Sequence, residues 1–127
     1  MSDRLMKAAK DRIENSYSPY SGVRVSAALE DDFGKVYTGV NIENSSYGLT
    51  ICAERSALAA AVTDGARRFT NLLIYSPDAK PVPCGACLQT LSELCPAELI
   101  VSIVGPDGTV EEHTLHELLP MRFSTED

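Results

Sequence analysis

"ICAERSALAAAVTDG", residues 51–65, is the stretch on which the fold turns. It is alanine-rich, contains no internal glycine or proline, and ends at Gly65, the position where a left-handed residue closes a helix. Thr50 stands before it as an N-cap. The pattern predicts a largely buried helix, and a buried helix needs a sheet or other helices to cover it. Downstream, "TNLLIYS" (70–76) is a short apolar strand bounded by "PDAKPVP". Residues 85–95 place Leu88, Leu91, Leu94 and Cys95 on one helical side, and Pro96 stops that helix. "ELIVSIVG" reads as a strand, "PDG" as a turn, "TVEEHT" as a short strand and "LHELLP" as a terminal helical turn.

Upstream, residues 3–15 put Leu5, Met6, Ala9 and Ile13 on one stripe, and "SYSPYSG" breaks the helix with Pro19 and Gly22. Val23, Val25, Ala27 and Leu29 alternate with Arg24, Ser26 and Ala28; "EDDFGK" then turns the chain into "VYTGVNI", a β-hairpin. The order αββαβαββα predicts an α/β fold, a three-layer α/β/α sandwich around a mixed five-stranded sheet. No repeat or linker interrupts the chain, so residues 1–127 are expected to form one domain.

Composition narrows the function. The chain has 44% hydrophobic and 23% charged residues, an ordinary balance for a soluble globular protein. Eighteen acidic residues against eleven scattered basic ones give a net charge of -7, which argues against a nucleic-acid partner held by phosphate neutralisation. No apolar run approaches the roughly 20 residues that span a bilayer, and "MSDRLMKAAKDR" lacks the apolar core of a secretory signal. A cytoplasmic protein with reduced thiols is expected, in which four cysteines point to metal or catalysis rather than disulfides.

Two of the predicted helices begin at cysteine. Cys52 falls in the first turn of the second helix; Cys84 and Cys87, in "VPCGACLQ" (82–89), lie at and just inside the start of the third. An i, i+3 pair at a helix start points both sulfurs one way, and zinc prefers four tetrahedral ligands that include thiolates. Cys95 lies eight residues past Cys87, roughly 12 Å along a helix at about 1.5 Å per residue, and is expected in the core. Three protein ligands with an open fourth position is the catalytic zinc arrangement, the fourth place falling to water. Glu54, on the same first turn as Cys52, can reach such a water and carry its proton. His113 and His116 fall in the acidic C-terminal stretch after the last strand and are expected at the surface.

"CAE" followed about thirty residues on by "PCGAC" resembles the signature of the zinc-dependent cytidine deaminases. "SPYS", "NIEN", "GLTICAERSA" and "ELLPMRF" are similar to further segments of the small, homotetrameric members, so the resemblance runs from about residue 17 to 124. It implies hydrolytic deamination of cytidine or 2′-deoxycytidine in pyrimidine salvage, one zinc per subunit on Cys52, Cys84 and Cys87, and Glu54 as proton shuttle. By the same resemblance Asn41 and Glu43 bind the ribose, Arg55 hydrogen-bonds ligand thiolates, and Tyr47 and Phe123 lie at subunit boundaries, the Phe reaching a neighbour's base pocket. A homotetramer with shared active sites and no organic cofactor follows.

Two positions depart from the family pattern. Leu88 stands where many relatives carry arginine, implying a more electron-rich sulfur cluster. Val23 stands where phenylalanine is common, implying a roomier pocket that admits N4-substituted cytidines. A blasticidin S-type aminonucleoside deaminase is the neighbouring alternative, against which the retained Asn41 and Glu43 speak. Deaminases of tRNA, RNA or DNA usually carry histidine in place of Cys52 and a basic surface. A zinc-stabilised structural module would not need Glu54 and would close its site with a fourth ligand, and a thiol oxidoreductase would leave Cys52 unexplained.

Overall fold

The computed structural model describes residues 2–125. α1 (Ser2–Arg12) is followed by a single 3-10 turn, then β1 (Ser26–Asp31) and β2 (Val36–Val40), α2 (Ala53–Thr63), β3 (Phe69–Tyr75), α3 (Gly85–Ser92), β4 (Ile100–Val104), β5 (Val110–Thr114) and α4 (Leu115–Leu118). The expected element order is the observed one. The sheet runs β2-β1-β3-β4-β5, with β3 and β4 parallel and every other neighbouring pair antiparallel, so it is mixed and five-stranded as expected.

Each face of the sheet has its own apolar cluster. On one, Leu5 and Ala9 of α1 pack on Ala28, Leu73 and Val104. On the other, Ala53, Ala57, Leu58 and Ala61 of α2 and Leu88 and Leu91 of α3 pack on Ala27, Leu29, Leu72, Ile74, Val101 and Ile103. The strand period of two sends successive β1 side chains to opposite clusters, which makes the three layers.

β1 begins at Ser26, where the sequence alternation predicted a strand from Val23, and all six of its residues are buried, Ser26, Glu30 and Asp31 included. The difference has two causes. β1 sits between β2 and β3 with helices on both sides, and its polar members are satisfied internally: Ser26 Oγ donates to the Ala9 carbonyl at 2.7 Å, and Glu30 accepts from Asn71 at 3.1 Å and from Arg4. Arg24 is drawn out of the strand. Its backbone N–H and Nε both donate to Asp78 Oδ2 at 2.9 Å, its Nη2 to Asp78 Oδ1 at 3.0 Å, and its Nη1 to Glu14 at 3.0 Å.

Arg24 holds the Asp78 carboxyl down to about 2, first through the hydrogen bond of its side chain. A depressed carboxylate contributes stability above its unfolded pKa and loses it as pH falls through the folded one. The urea-midpoint gap between wild type and Asp78→Asn is therefore constant above the unfolded pKa of about 4 and closes as pH falls from there toward 2. A gap unchanged at pH 2 would refute the pairing.

Helix ends show where local signals misled. The N-cap of α2 is Cys52 and not Thr50, whose Oγ1 instead accepts from the Asn44 N–H at 3.1 Å. Gly65 follows the α2 C-cap with φ +99°, as its position predicted. α3 stops at Ser92 rather than residue 95, although the Cys95 N–H still returns to the Leu91 carbonyl at 2.8 Å. His113 lies inside β5 rather than after it, bonded to Glu111 at 2.9 Å; His116 is exposed on α4. Among the described residues no helix is long and apolar enough to cross a membrane.

Candidate metal centre and cavity

Cys52 and Cys84 are the N-caps of α2 and α3, both with extended backbone and neither using its side chain to cap. The two helix starts converge. The Sγ atoms of Cys52, Cys84 and Cys87 lie within 4.8 Å of one another, and Cys84 and Cys87 are 3.5 Å apart. Sulfurs bonded to one tetrahedral zinc at about 2.3 Å stand roughly 3.8 Å from each other, so the donor set fits such an ion with little adjustment. Among the described residues no fourth Cys, His, Asp or Glu joins the group. Cys95 is part of the core, and burial pushes its thiol up to about 12.

The thiols share their protons unequally. Cys52 is held below the ordinary thiol range, chiefly by its hydrogen bond with Cys87 and then by Arg55 beside it, and Cys87 is raised. Arg55 Nη2 reaches Cys52 Sγ at 3.8 Å and the Thr50 carbonyl at 3.4 Å. Its buried Nε has no hydrogen-bond partner among the described residues, a spare donor beside a cluster of prospective thiolates. The start of each helix adds roughly half a positive charge. Arg55 and two helix N-termini thus offset the negative charge that three thiolates bring. Leu88 contributes no charge there; it is buried in the core with Leu91.

Glu54 is only 4% exposed, and burial raises its pKa above the ordinary carboxylate range. It lines a cavity of about 170 Å³ with Val25, Asn41, Thr50, Cys52, Ile74, Pro81, Val82 and Cys84. The cavity therefore joins two of the sulfurs to the buried carboxyl. Thr50 also borders an adjacent recess of about 410 Å³ formed with Tyr20, Ser21, Glu43 and Tyr47. A larger recess, about 590 Å³, lies at the far end of α2 around Asp64 and Arg67 and shares no lining residue with the sulfur site.

Asn41 and Glu43 are both engaged by their own chain. Asn41 Oδ1 accepts from the Val25 N–H at 3.0 Å and from Ser16 Oγ, and its Nδ2 donates to the Val23 carbonyl at 2.9 Å. Glu43 Oε1 accepts from the N–H groups of Tyr20 at 2.9 Å and Ser21 at 3.1 Å, and Oε2 from Ser21 Oγ at 2.5 Å. These bonds hold Glu43 below the usual carboxylate range, the Ser21 hydroxyl most of all. An amide offers two acceptor and two donor places, and a carboxylate about four acceptor places. Asn41 thus retains one N–H donor, and Glu43 about one acceptor site.

Tyr47 is exposed and meets Tyr20 edge-on, ring centroids 6.1 Å apart. Phe123 is also exposed; its N–H and carbonyl are paired with the Gln89 side chain at 3.1 and 3.0 Å. Val23 is half-buried and contributes its carbonyl to Asn41 rather than a side chain to the cavity lining. Pro81 and Val82, read from the sequence only as a strand boundary, form one wall of the cavity. Tyr20 and Ser21 likewise gained a role that only their bonds to Glu43 disclose.

Residues 1–103 match the family model described as the cytidine and deoxycytidylate deaminase zinc-binding region. The chain is 46% identical over 124 residues to a cytidine deaminase of Halalkalibacterium halodurans, covering 97% of this chain and 94% of that protein. It is 44% identical to a cytidine deaminase of Sporosarcina psychrophila, over 98% and 93% of the two chains. The crystal structure of a cytidine deaminase from Burkholderia pseudomallei superposes with a TM-score of 0.91 at 39% identity, covering 97% of this chain and 99% of that one.

Proposed function

Because this chain belongs to the cytidine and deoxycytidylate deaminase family, we propose that it hydrolyses cytidine or 2′-deoxycytidine to the corresponding uridine and ammonia. The observation that carries this reading is one cavity holding a three-sulfur donor set at two converging helix starts beside the buried carboxyl of Glu54. Cys52, Cys84 and Cys87 would hold one zinc ion per subunit. When bound, the ion supplies Lewis acidity that makes hydroxide available near neutral pH.

The chain's own residues supply proton transfer and orientation. Glu54 takes a proton from the attacking water as its oxygen bonds to C4 of the ring, and passes that proton to N3. Glu54 then takes the remaining proton from the new C4 hydroxyl and passes it to the departing amino group, so that C4=O forms as the C4–N4 bond breaks and ammonia leaves. A carboxyl whose pKa is raised by burial takes up and returns a proton more evenly than an exposed one. Arg55, beside the Cys52 sulfur, draws negative charge from the cluster.

The spare donor of Asn41 and spare acceptor of Glu43 are complementary to a sugar hydroxyl, which both donates and accepts. Glu43→Gln replaces acceptor capacity with a donor facing the Ser21 and Tyr20 N–H groups. Its KM for cytidine should rise about tenfold or more, with kcat changed less. A KM equal to wild type would remove Glu43 from the substrate contacts. Loss of the cytosine-ring absorbance across a panel of cytidine, 2′-deoxycytidine, N4-methylcytidine and cytosine tests the substrate assignment; the N4-methyl compound would leave methylamine in place of ammonia, and its turnover reads the room around the exocyclic nitrogen. Turnover of none of them would overturn the proposed reaction.

Tyr17, Tyr20, Ile42, Tyr47, Leu49 and Ile51 are exposed, and bridges join Tyr17 to Ile42 and Ile42 to Ile51, so several share one surface beside the recess. Such a surface is best covered by further copies of the chain. A homotetramer is proposed, with Phe123 meeting a neighbour's pocket. Light scattering that finds a fully active monomer would exclude it. Reduced thiols of this kind suit a cytoplasmic setting.

A further inference from the structure

β2 passes beneath the first turns of α2 at Gly39. A Cβ on Gly39 would stand 2.7 Å from the Ala53 carbonyl oxygen and 2.8 Å from the Ser56 carbonyl carbon, and would overlap the Ala57 nitrogen. All three are helix backbone atoms, so no rotamer change relieves the overlap. Gly39 is also outside the set of glycines with positive φ, so space and not backbone angle demands glycine here. The helix side of the contact is equally small: Ala53, Ala57 and Ala61 are fully buried at a spacing of four.

Two peptides of α2 rest on Gly39, the one that links Ser56 to Ala57, which lies nearest, and the one that links Ala53 to Glu54, just after Cys52. Cys84 caps α3 and Cys87 lies in its first turn; α3 is anchored to the same sheet face as α2 by its own side chains, Leu88 and Leu91, and does not touch Gly39. The spacing between Cys52 and the other two sulfurs therefore depends on how closely α2 approaches the sheet. We propose that Gly39 is a positioning residue for the metal centre: its missing side chain lets α2 sit low enough to bring Cys52 and Glu54 into register with Cys84 and Cys87.

This inference rests on the zinc reading. With a methyl at position 39, α2 and β2 must move apart, by about 0.7 Å at the Ala53 oxygen, where 2.7 Å has to open to the 3.4 Å at which ordinary contact begins, and by more at the Ala57 nitrogen. Metal–ligand distances tolerate only about 0.2 Å.

The experiment compares wild type, Gly39→Ala, Ala57→Val and Leu73→Ala. Ala57→Val crowds the same helix–sheet contact, whereas Leu73→Ala hollows the cluster on the α1 side and leaves α2 untouched. Zinc affinity is measured by competition with a chromogenic chelator, and the cobalt-loaded proteins are compared by thiolate-to-cobalt charge-transfer absorption. Gly39→Ala should lose about tenfold or more in affinity with altered cobalt bands, Ala57→Val should shift the same way, and Leu73→Ala should match wild type. A folded Gly39→Ala with wild-type affinity and spectrum overturns the inference, as does equal loss in Leu73→Ala, which would mark a general stability effect. Where Gly39→Ala fails to fold, Ala57→Val decides by the same criterion. Wild type that binds neither ion sinks the zinc reading itself, a separate and visible result.

Discussion

Glu54→Gln should turn over cytidine about 10³-fold more slowly than wild type while keeping its metal and its fold. Glutamine fills the same volume and still hydrogen-bonds, but it cannot accept a proton at one atom and return it at another. The same carboxyl is asked to act twice, on the attacking water and on the departing amine, so the loss falls on kcat more than on KM. Its 4% exposure means that no bulk water replaces it efficiently. The check pairs steady-state ammonia release with metal analysis of both proteins. Wild-type kcat in a zinc-loaded variant would rule out Glu54 as the proton carrier.

Replacing one sulfur has the second large effect. Cys84→Ser leaves two thiols where three converge, and Cys84 is exposed, so the substitution disturbs little packing. The variant should retain only trace zinc after dialysis against a mild chelator and lose measurable deamination. A ligand that binds only the folded state stabilises it by about 4 kcal/mol at a thousandfold excess over its Kd. Chelation of wild type should therefore lower its urea midpoint, and chelation of Cys84→Ser should not. Equal midpoint shifts in both proteins would show that the metal sits elsewhere.

The legible and illegible parts divide along physical lines. The helix at 53–63 was readable because alanines, the absence of breakers and Gly65 are local signals. Its first residue was misplaced because a threonine hydroxyl can cap a helix or serve a loop; the Thr50 hydroxyl goes to Asn44. The strand at 26–31 was recognisable by its apolar alternation, yet burial of both its faces depended on which helices came to cover it. Cys84 and Cys87 could be paired from their spacing of three, and Glu54 could be placed on the first turn with Cys52. The expected involvement of Asn41 and Glu43 was legible only through a resemblance, and nothing local disclosed that Ser16, Val25, Tyr20 and Ser21 already occupy most of their polar capacity.

By itself the sequence determined the order of elements, the donor types and the net negative charge, because helix period, turn residues and composition act over a few residues or over the whole chain. Only the tertiary structure decided that Cys52 meets a pair of sulfurs more than thirty positions away, that Glu54 loses its water, that Arg24 fastens Asp78, and that a bare backbone at Gly39 sets the seat of α2. Those facts come from packing and desolvation between distant segments. Such interactions depend on what the fold places alongside a residue, and no local pattern encodes that neighbour.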